Sequence, residues 1–359
     1  MQFLRRLIEP ALTPEYNYLN LLRKIKAEGN QKQVFSTEGN KIGIVYKEGT
    51  QWQWEEENVS NLSLTSLYGE TLKFDLRDGK IPLLTTKNTY WQGAFKEMLW
   101  FIEATGDVAK LHQQKVPFWT PWAYKYHKQR FPETKVSYSE FQAQYLSSDA
   151  SYVIPIPYTD SYRWDGEYYV SKDKDNRAVF SVLDQSRWVI DEMQKKPDRK
   201  SYKVSAWNPA RLYSMANVLS ESESVVIAAC HDNYQLLSNL NPETGERELT
   251  MVLSIRSQDL PIGSPINIAQ YGLLTHLYAQ CMGMSPKELI IHLGDVHIYS
   301  NEWEGVEKQL EQVPQRPPTL EIKNRGQKYL QDFRYSDFKV NNYNPQDTIP
   351  FQLTVVGGF

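Results

Sequence analysis

Apolar positions along the chain change their spacing from segment to segment. From Tyr18 to Glu28 they recur at helical intervals, at Tyr18, Leu22 and Ile25, with Arg23, Lys24 and Lys26 between them. That spacing predicts a helix ending at Gly29. Ala94 to Ala104 predicts a second helix with Phe95, Met98, Leu99 and Ile102 on one face, and Val182 to Gln194 a third. Ser264-Pro265 reads as the cap and first residue of a long apolar helix that closes near Gly283. Alternation predicts a strand pair over Leu62–Leu76 and single strands at Tyr202–Trp207, Val225–Leu237, Leu249–Ile255 and Ile290–Tyr299. Asn241-Pro242-Glu243-Thr244-Gly245 is a turn between two of these strands.

Two stretches lack a clear period. Residues 30–60 are polar with scattered glycines and read as an irregular insertion. Residues 124–174 are Tyr-rich and read as a second insertion or small subdomain. No internal repeat is visible. The element order predicts an α+β fold, a mixed, mostly antiparallel sheet covered by helices, in a single domain over residues 1–359.

Composition narrows the classes. With 41% hydrophobic residues in 359, the chain can bury a large core without disulfides or metals. The two cysteines, Cys230 and Cys281, exclude a disulfide scaffold and any four-cysteine zinc or iron–sulfur site. A net charge of −3 argues against a nucleic-acid polymer as partner but leaves a single nucleotide open. No apolar run approaches the ~20 residues of a membrane span, and the N-terminus lacks a signal-peptide core. A reducing cytoplasm is expected, with no membrane partner and no bound metal; for a viral chain this means the host cytoplasm.

Several residues carry candidate chemistry. Cys230-His231 offers a thiol, nucleophilic where positive charge stabilises its thiolate, although a cysteine after an apolar run is more often core. Cys281 sits inside the apolar helix and reads as packing. Arg256, ending a strand, can grip a phosphate with its guanidinium fork and raise the potential around a thiol; a surface ion pair is the commoner fate. In His292-Leu293-Gly294-Asp295-Val296-His297-Ile298-Tyr299, the two-residue period puts Asp295, His297 and Tyr299 on one face and His292 on the other. That separates the histidines and suggests a polar cluster for a sugar. Asn267, in the first turn of the long helix, can read one edge of a base or merely cap. Trp119 and Trp122 can stack on a flat heterocycle or serve as core. Glu97, among apolar residues on its helix, is costly to bury unless paired or functional. Lys195-Lys196-Pro197-Asp198-Arg199-Lys200 is a solvated loop or a phosphate contact. No phosphate-cradling glycine loop or Ser-His-Asp signature is present.

Together these segments resemble the thymidylate synthase family, which includes pyrimidine-nucleotide hydroxymethylases. The resemblance is densest from Ala228 to Asn301: Cys230-His231, Arg256-Ser257 with Asp259, Gly263-x-Pro265-x-Asn267-Ile268-Ala269-x-Tyr271, and Gly294-Asp295-x-His297-x-Tyr299. It extends to Pro82-Leu83-Leu84-Thr85-Thr86-Lys87, Glu97-Met98-Leu99-Trp100-Phe101, Trp119 with Trp122, and Val204-Ser205-Ala206-Trp207-Asn208.

The resemblance implies methylene-tetrahydrofolate as co-substrate, deoxyuridylate as the other substrate, and a homodimer. Cys230, Glu97, Arg256, Asn267 and Tyr158 would be catalytic. Arg256, Ser257, Asn267, His297, Tyr299, Arg199 and Lys200 would bind the nucleotide. Trp119, Trp122, Asp259, Ile262, Gly263 and Lys87 would bind the folate. Arg256 would also lower the pKa of the thiol. The implied product is thymidylate; the alternatives are 5-hydroxymethyl-deoxyuridylate and an inactive nucleotide- or RNA-binding relative. Three departures stand out. No Arg lies between Arg23 and Arg77, where the family has a phosphate ligand. Arg199-Lys200-Ser201-Tyr202-Lys203 stands where paired arginines are expected, and Leu353–Phe359 is not the family's usual closing tail.

Overall fold

The computed structural model describes residues 14–34, 41–48, 51–58, 61–162, 170–172, 178–180, 184–212, 215, 220 and 223–355. Helix α1 spans Glu15–Glu28, three residues longer at its start than the apolar spacing predicts. The extension has a cause. The Glu15 carboxylate accepts the backbone N–H groups of Thr85 and Thr86 at 2.8–2.9 Å and both their hydroxyls at 2.6 Å. A carboxylate so surrounded can be buried, and it pins the loop carrying Lys87.

The central sheet has six strands in the order β1-β4-β10-β9-β8-β7. These are β1 (Asn30–Gln33), β4 (Ser63–Asp75), β7 (Lys203–Ser205), β8 (His231–Leu240), β9 (Arg247–Asp259) and β10 (Ser285–Tyr299). All neighbours are antiparallel except β9 and β10. A parallel pair needs a crossover, and α8 (Gly263–Met282) supplies it. It is buried almost all round, consistent with its apolar sequence. It starts one residue before the expected cap: Ser264 lies buried inside the first turn, and the Asp259 carboxylate accepts the Ile262 N–H at 2.9 Å instead. The strand pair expected over Leu62–Leu76 is corrected to the single 13-residue strand β4. Its glycine, Gly69, has positive φ, but β10 pairs along both halves, so no turn forms.

The irregular reading of residues 30–60 is also corrected. Besides β1, this stretch forms the hairpin β2 (Lys41–Glu48) and β3 (Gln51–Asn58), and β13 (Leu353–Val355) adds to β2. Ile42 and Ile44 of β2 pack with Val34, Leu62 and Tyr299. Gly43 between them is required by a close approach, since a Cβ there would sit 2.1 Å from the Trp54 ring.

Helix α2 is Trp91–Glu103 and α3 Val108–Gln113. The Tyr-rich stretch supplies α4 (Thr120–Arg130), α5 (Tyr138–Tyr145) and the short α6 (Thr159–Tyr162). Its aromatics extend the main core: Tyr124 meets Tyr138 and Phe141, while His127 meets Phe141 and Tyr145, with centroids 4.7–5.5 Å apart. Trp54 joins them edge-on to Tyr124 at 5.7 Å, tying the hairpin to α4. Two short strands, β5 (Val170–Lys172) and β6 (Ala178–Phe180), pair with each other. Helix α7 spans Gln185–Lys195, starting three residues late because the Asp184 carboxylate caps it. Helix α9 (Trp303–Leu310) and the pair β11 (Thr319–Ile322) and β12 (Phe338–Asn341) complete the described elements. Among the described residues, no helix is long and apolar enough to cross a membrane.

Candidate active site

The parallel pairing of β9 and β10 and the start of α8 bring the candidate residues to one end of the sheet. Cys230 lies in the turn just before β8. Its N–H donates to the Tyr158 hydroxyl at 3.2 Å, and its carbonyl accepts the Arg256 N–H at 2.8 Å. The backbone around the sulfur is therefore held from both sides. Tyr158 in turn stacks on His231, rings 4.0 Å apart and within 2° of parallel.

The Arg256 side chain wraps the same turn. Its Nε donates to the Ala229 carbonyl at 2.8 Å and its Nη2 to the Ala228 carbonyl at 2.9 Å. The guanidinium sits 5.7 Å from the Trp207 ring. The remaining donors, on an exposed residue, are available to an anion. Gly294 on β10 lets this strand pass, since a Cβ there would come within 2.9 Å of the Arg256 carbonyl oxygen.

The expected depression of the thiol pKa is corrected. Burial raises the Cys230 thiol above its usual value; Arg256 pulls it down, and Asp259 and Asp232 push it up again. Burial wins, so the resting cysteine is held as the thiol. His231 cannot take up its proton while the site is closed, because burial lowers its pKa to about 3.

Glu97 on α2 is buried and doubly bonded: Trp119 Nε1 donates at 2.6 Å and Gln270 Nε2 at 2.8 Å. Burial raises its pKa to about 8 despite both donors. Glu97 is thus a neutral acid near pH 7, suited to giving and retrieving a proton. Gln270 lies one helical turn beyond Asn267 on α8, so both face the Glu97 side. Asn267 has no hydrogen-bond partner among the described residues, which leaves its amide free to read a ligand edge.

On β10, His297 Nδ1 lies 3.0 Å from Asp295 Oδ1, with Tyr299 edge-on to the imidazole at 5.1 Å. Ser66 and Lys32 also donate to Asp295, at 3.1 and 2.8 Å. Burial would raise Asp295, but His297 and Lys32 pull it down to about 2. Asp295 therefore orients His297. His292, on the opposite face, bonds Thr71 at 3.1 Å, as the two-residue period predicts.

The folate candidates divide. Asp259, Ile262 and Gly263 form the β9–α8 corner, and Lys87 is tied to it by a bond to the Pro261 carbonyl. Beside this corner opens a groove of about 860 Å3, lined by Ile262, Phe118, Tyr90, Tyr138, Phe351 and Leu353 among others. Trp119 is buried among Trp100, Phe101 and Tyr158, and its N–H is committed to Glu97, whereas Trp122 is half-buried with Lys125 near its ring. Ser257 is half-buried with no side-chain bond among the described residues. Arg199 and Lys200 are not brought to Cys230 within the chain. Arg199 pairs with Glu192 at 3.5 Å, and the Lys200 carbonyl accepts from Gln235, along β8 from the cysteine. A second cavity, of about 680 Å3 around Glu246 and Met282, contains none of the candidates.

Sequence reasoning missed Gln270, Lys32 and Glu302. A glutamine inside an otherwise apolar helix was the available signal for Gln270, because buried amides need partners. Nothing local marks the other two.

Comparisons with known proteins identify relatives of the chain. A family model described as thymidylate synthase matches residues 16–355. The chain is similar to a thymidylate synthase of Rhizobium rhizogenes, 30% identical over 347 residues, covering 95% of this chain and 99% of the relative. It is similar to that of Equine herpesvirus 2, at 31% over 341 residues, covering 95% and 98%. It is also similar to that of Agaricus bisporus, at 32% over 284 residues, covering 79% and 88%.

Proposed function

Because the chain belongs to the thymidylate synthase family, we propose that it transfers one carbon from methylene-tetrahydrofolate to carbon 5 of deoxyuridylate, giving thymidylate. The observation that carries this reading is Cys230, fixed by Tyr158 and Arg256 beside a neutral Glu97 and an unpartnered Asn267.

Arg256 receives the nucleotide phosphate with its free donors, and Ser257 adds a hydroxyl. Asn267 reads the uracil edge with one donor and one acceptor. His297, aligned by Asp295, and Tyr299 hold the sugar hydroxyl. The Cys230 sulfur then bonds to carbon 6 of the ring as its proton leaves, and the electron pair moves to carbon 5 and oxygen 4. Carbon 5 attacks the methylene carbon that the folate supplies. Removal of the carbon 5 proton and departure of the folate nitrogen give an exocyclic methylene, with Glu97 exchanging protons through ordered water. A hydride from the tetrahydrofolate reduces that methylene, and the Cys230 sulfur departs, leaving thymidylate and dihydrofolate.

The groove beside Ile262 suits the flat, largely apolar folate, and Asp259 offers an acceptor to its N–H groups. Trp119 and Trp122 are assigned to the folate by the same reading although neither lines the groove, Gly263 leaves room at the corner, and Lys87 steadies it. Arg199 and Lys200 are assigned to a homodimer, in which a second copy brings them to the phosphate. The two insertions, the cytoplasmic location and the absence of a resident metal belong to the same reading.

The test is product analysis by mass spectrometry after incubation with both substrates. Thymidylate and dihydrofolate in equal amounts are expected. Hydroxymethyl-deoxyuridylate with tetrahydrofolate retained would replace the methyl reading, and no product at all would leave an inactive nucleotide-binding relative.

A further inference from the structure

Glu302 lies in the 3-10 turn Ser300–Glu302 that ends β10, and it is fully buried. One carboxyl oxygen, Oε2, accepts the Tyr299 N–H at 2.8 Å. The other, Oε1, meets no donor among the described residues. A buried carboxylate oxygen without a donor is costly, so its surroundings call for explanation.

The Glu302 carboxyl lies within hydrogen-bonding reach of a second carboxyl, Asp259. Asp259 already accepts the Ile262 N–H and feels the His297 ring. Lys87 is the cation that attracts both carboxyls, while its ammonium donates to the Pro261 carbonyl. Tyr18 of α1 approaches from the other side with its hydroxyl committed to the Leu260 carbonyl at 3.0 Å, and Gln309 of α9 reaches Tyr18. Tyr299 stands on the same turn, its phenol kept neutral by burial.

The charge count decides the protonation. Two carboxylates and one ammonium would leave a net negative charge away from water. One added proton makes the cluster neutral and turns the orphaned oxygen into a donor. It belongs on Glu302, because Glu302 is fully buried with no donor to its Oε1, whereas Asp259 is only partly buried and accepts the Ile262 N–H.

We propose that Glu302 is a positioning residue, kept as the neutral acid, whose Oε1–H donates to the Asp259 carboxylate and fixes it as an acceptor for the N–H groups of the folate. This rests on the folate reading of Asp259 given above. Asp259 touches the substrate, and Glu302 acts through it. Burial and the Asp259 charge both hold the Glu302 carboxyl far above its ordinary range, in the direction required.

The test compares Glu302→Gln, whose amide donates as the neutral acid does, with Glu302→Ala. Glu302→Gln is expected to keep the folate KM within about threefold, whereas Glu302→Ala raises it about tenfold or more with a smaller change in kcat, the size of one lost hydrogen bond. Infrared spectra of the resting protein at neutral pH should show a protonated-carboxyl band that Glu302→Gln removes. Equal damage from Gln and Ala, or no infrared difference, overturns the proposal. The infrared measurement needs no turnover. It therefore judges the proton even if the wild type makes no thymidylate, which would instead defeat the functional reading. If Glu302→Ala does not fold, Glu302→Gln and the infrared band decide.

Discussion

Trp119 gives its indole N–H to one oxygen of Glu97, and Gln270 closes on the other. Burial keeps this carboxyl protonated near neutrality against the pull of its two N–H donors, which hold its orientation. Trp119, picked out as a surface for a flat ring, therefore also orients an acid.

The Glu97 pair predicts a pH-dependent stability. The carboxyl pKa rises from 4.5 to about 8 on folding, so the native chain keeps a proton that the unfolded chain releases. That contribution is intact below pH 4.5 and disappears as pH climbs to about 8. Glu97→Gln removes the slope. Its melting temperature should gain on the wild type from pH 5 to pH 8, by an amount on the order of a few kcal/mol, reduced by the bond its amide cannot accept from Gln270. Parallel melting curves across that range would contradict the assignment. Turnover in the same variant should fall by about 10²-fold or more.

Cys230→Ala should lower turnover by at least about 10³-fold while deoxyuridylate still binds, measured by product formation and by calorimetry. In the wild type, alkylation of Cys230 should have a midpoint above that of a free cysteine, because burial outweighs Arg256. Arg256→Ala should move it higher. A midpoint at or below the free value would show that the guanidinium prevails after all.

Asn267→Asp exchanges an amide for a group that cannot both donate and accept when ionised. Discrimination for uracil over cytosine nucleotides should drop by about 10- to 100-fold, in competition assays read by kcat/KM. Unchanged discrimination would remove Asn267 from base reading.

Gly43→Val places a branched side chain where even a Cβ would fall 2.1 Å from the Trp54 ring. Melting should show a loss of about 1–3 kcal/mol, the usual range for overpacking, and the β2–β3 hairpin should become accessible to protease. A variant as stable and resistant as the wild type would show that Trp54 moves aside freely.

What could be read from the chain follows physical lines. The β9–α8–β10 unit was legible because α8 is apolar almost throughout and β10 alternates with a two-residue period. The candidate thiol, guanidinium and amide all lie at its edges. The hairpin β2–β3 was not legible, because Glu55, Glu56 and Glu57 dilute the alternation and its partner β13 lies about 310 positions away along the chain. Glu302 was hidden for another reason. Ser300-Asn301-Glu302-Trp303-Glu304 reads as surface, and only the packing of its neighbours in space makes the middle acid a buried one. Burial also reversed the expected thiol shift, a quantity no linear pattern reports.

The joining of β13 to β2 stitches the last described strand onto a hairpin from the early part of the chain. Leu353 faces the groove from one of these strands and Val45 from the other. A substitution in β13 would accordingly be sensed at the groove through the hairpin, and an edit near Gly43 would loosen β13.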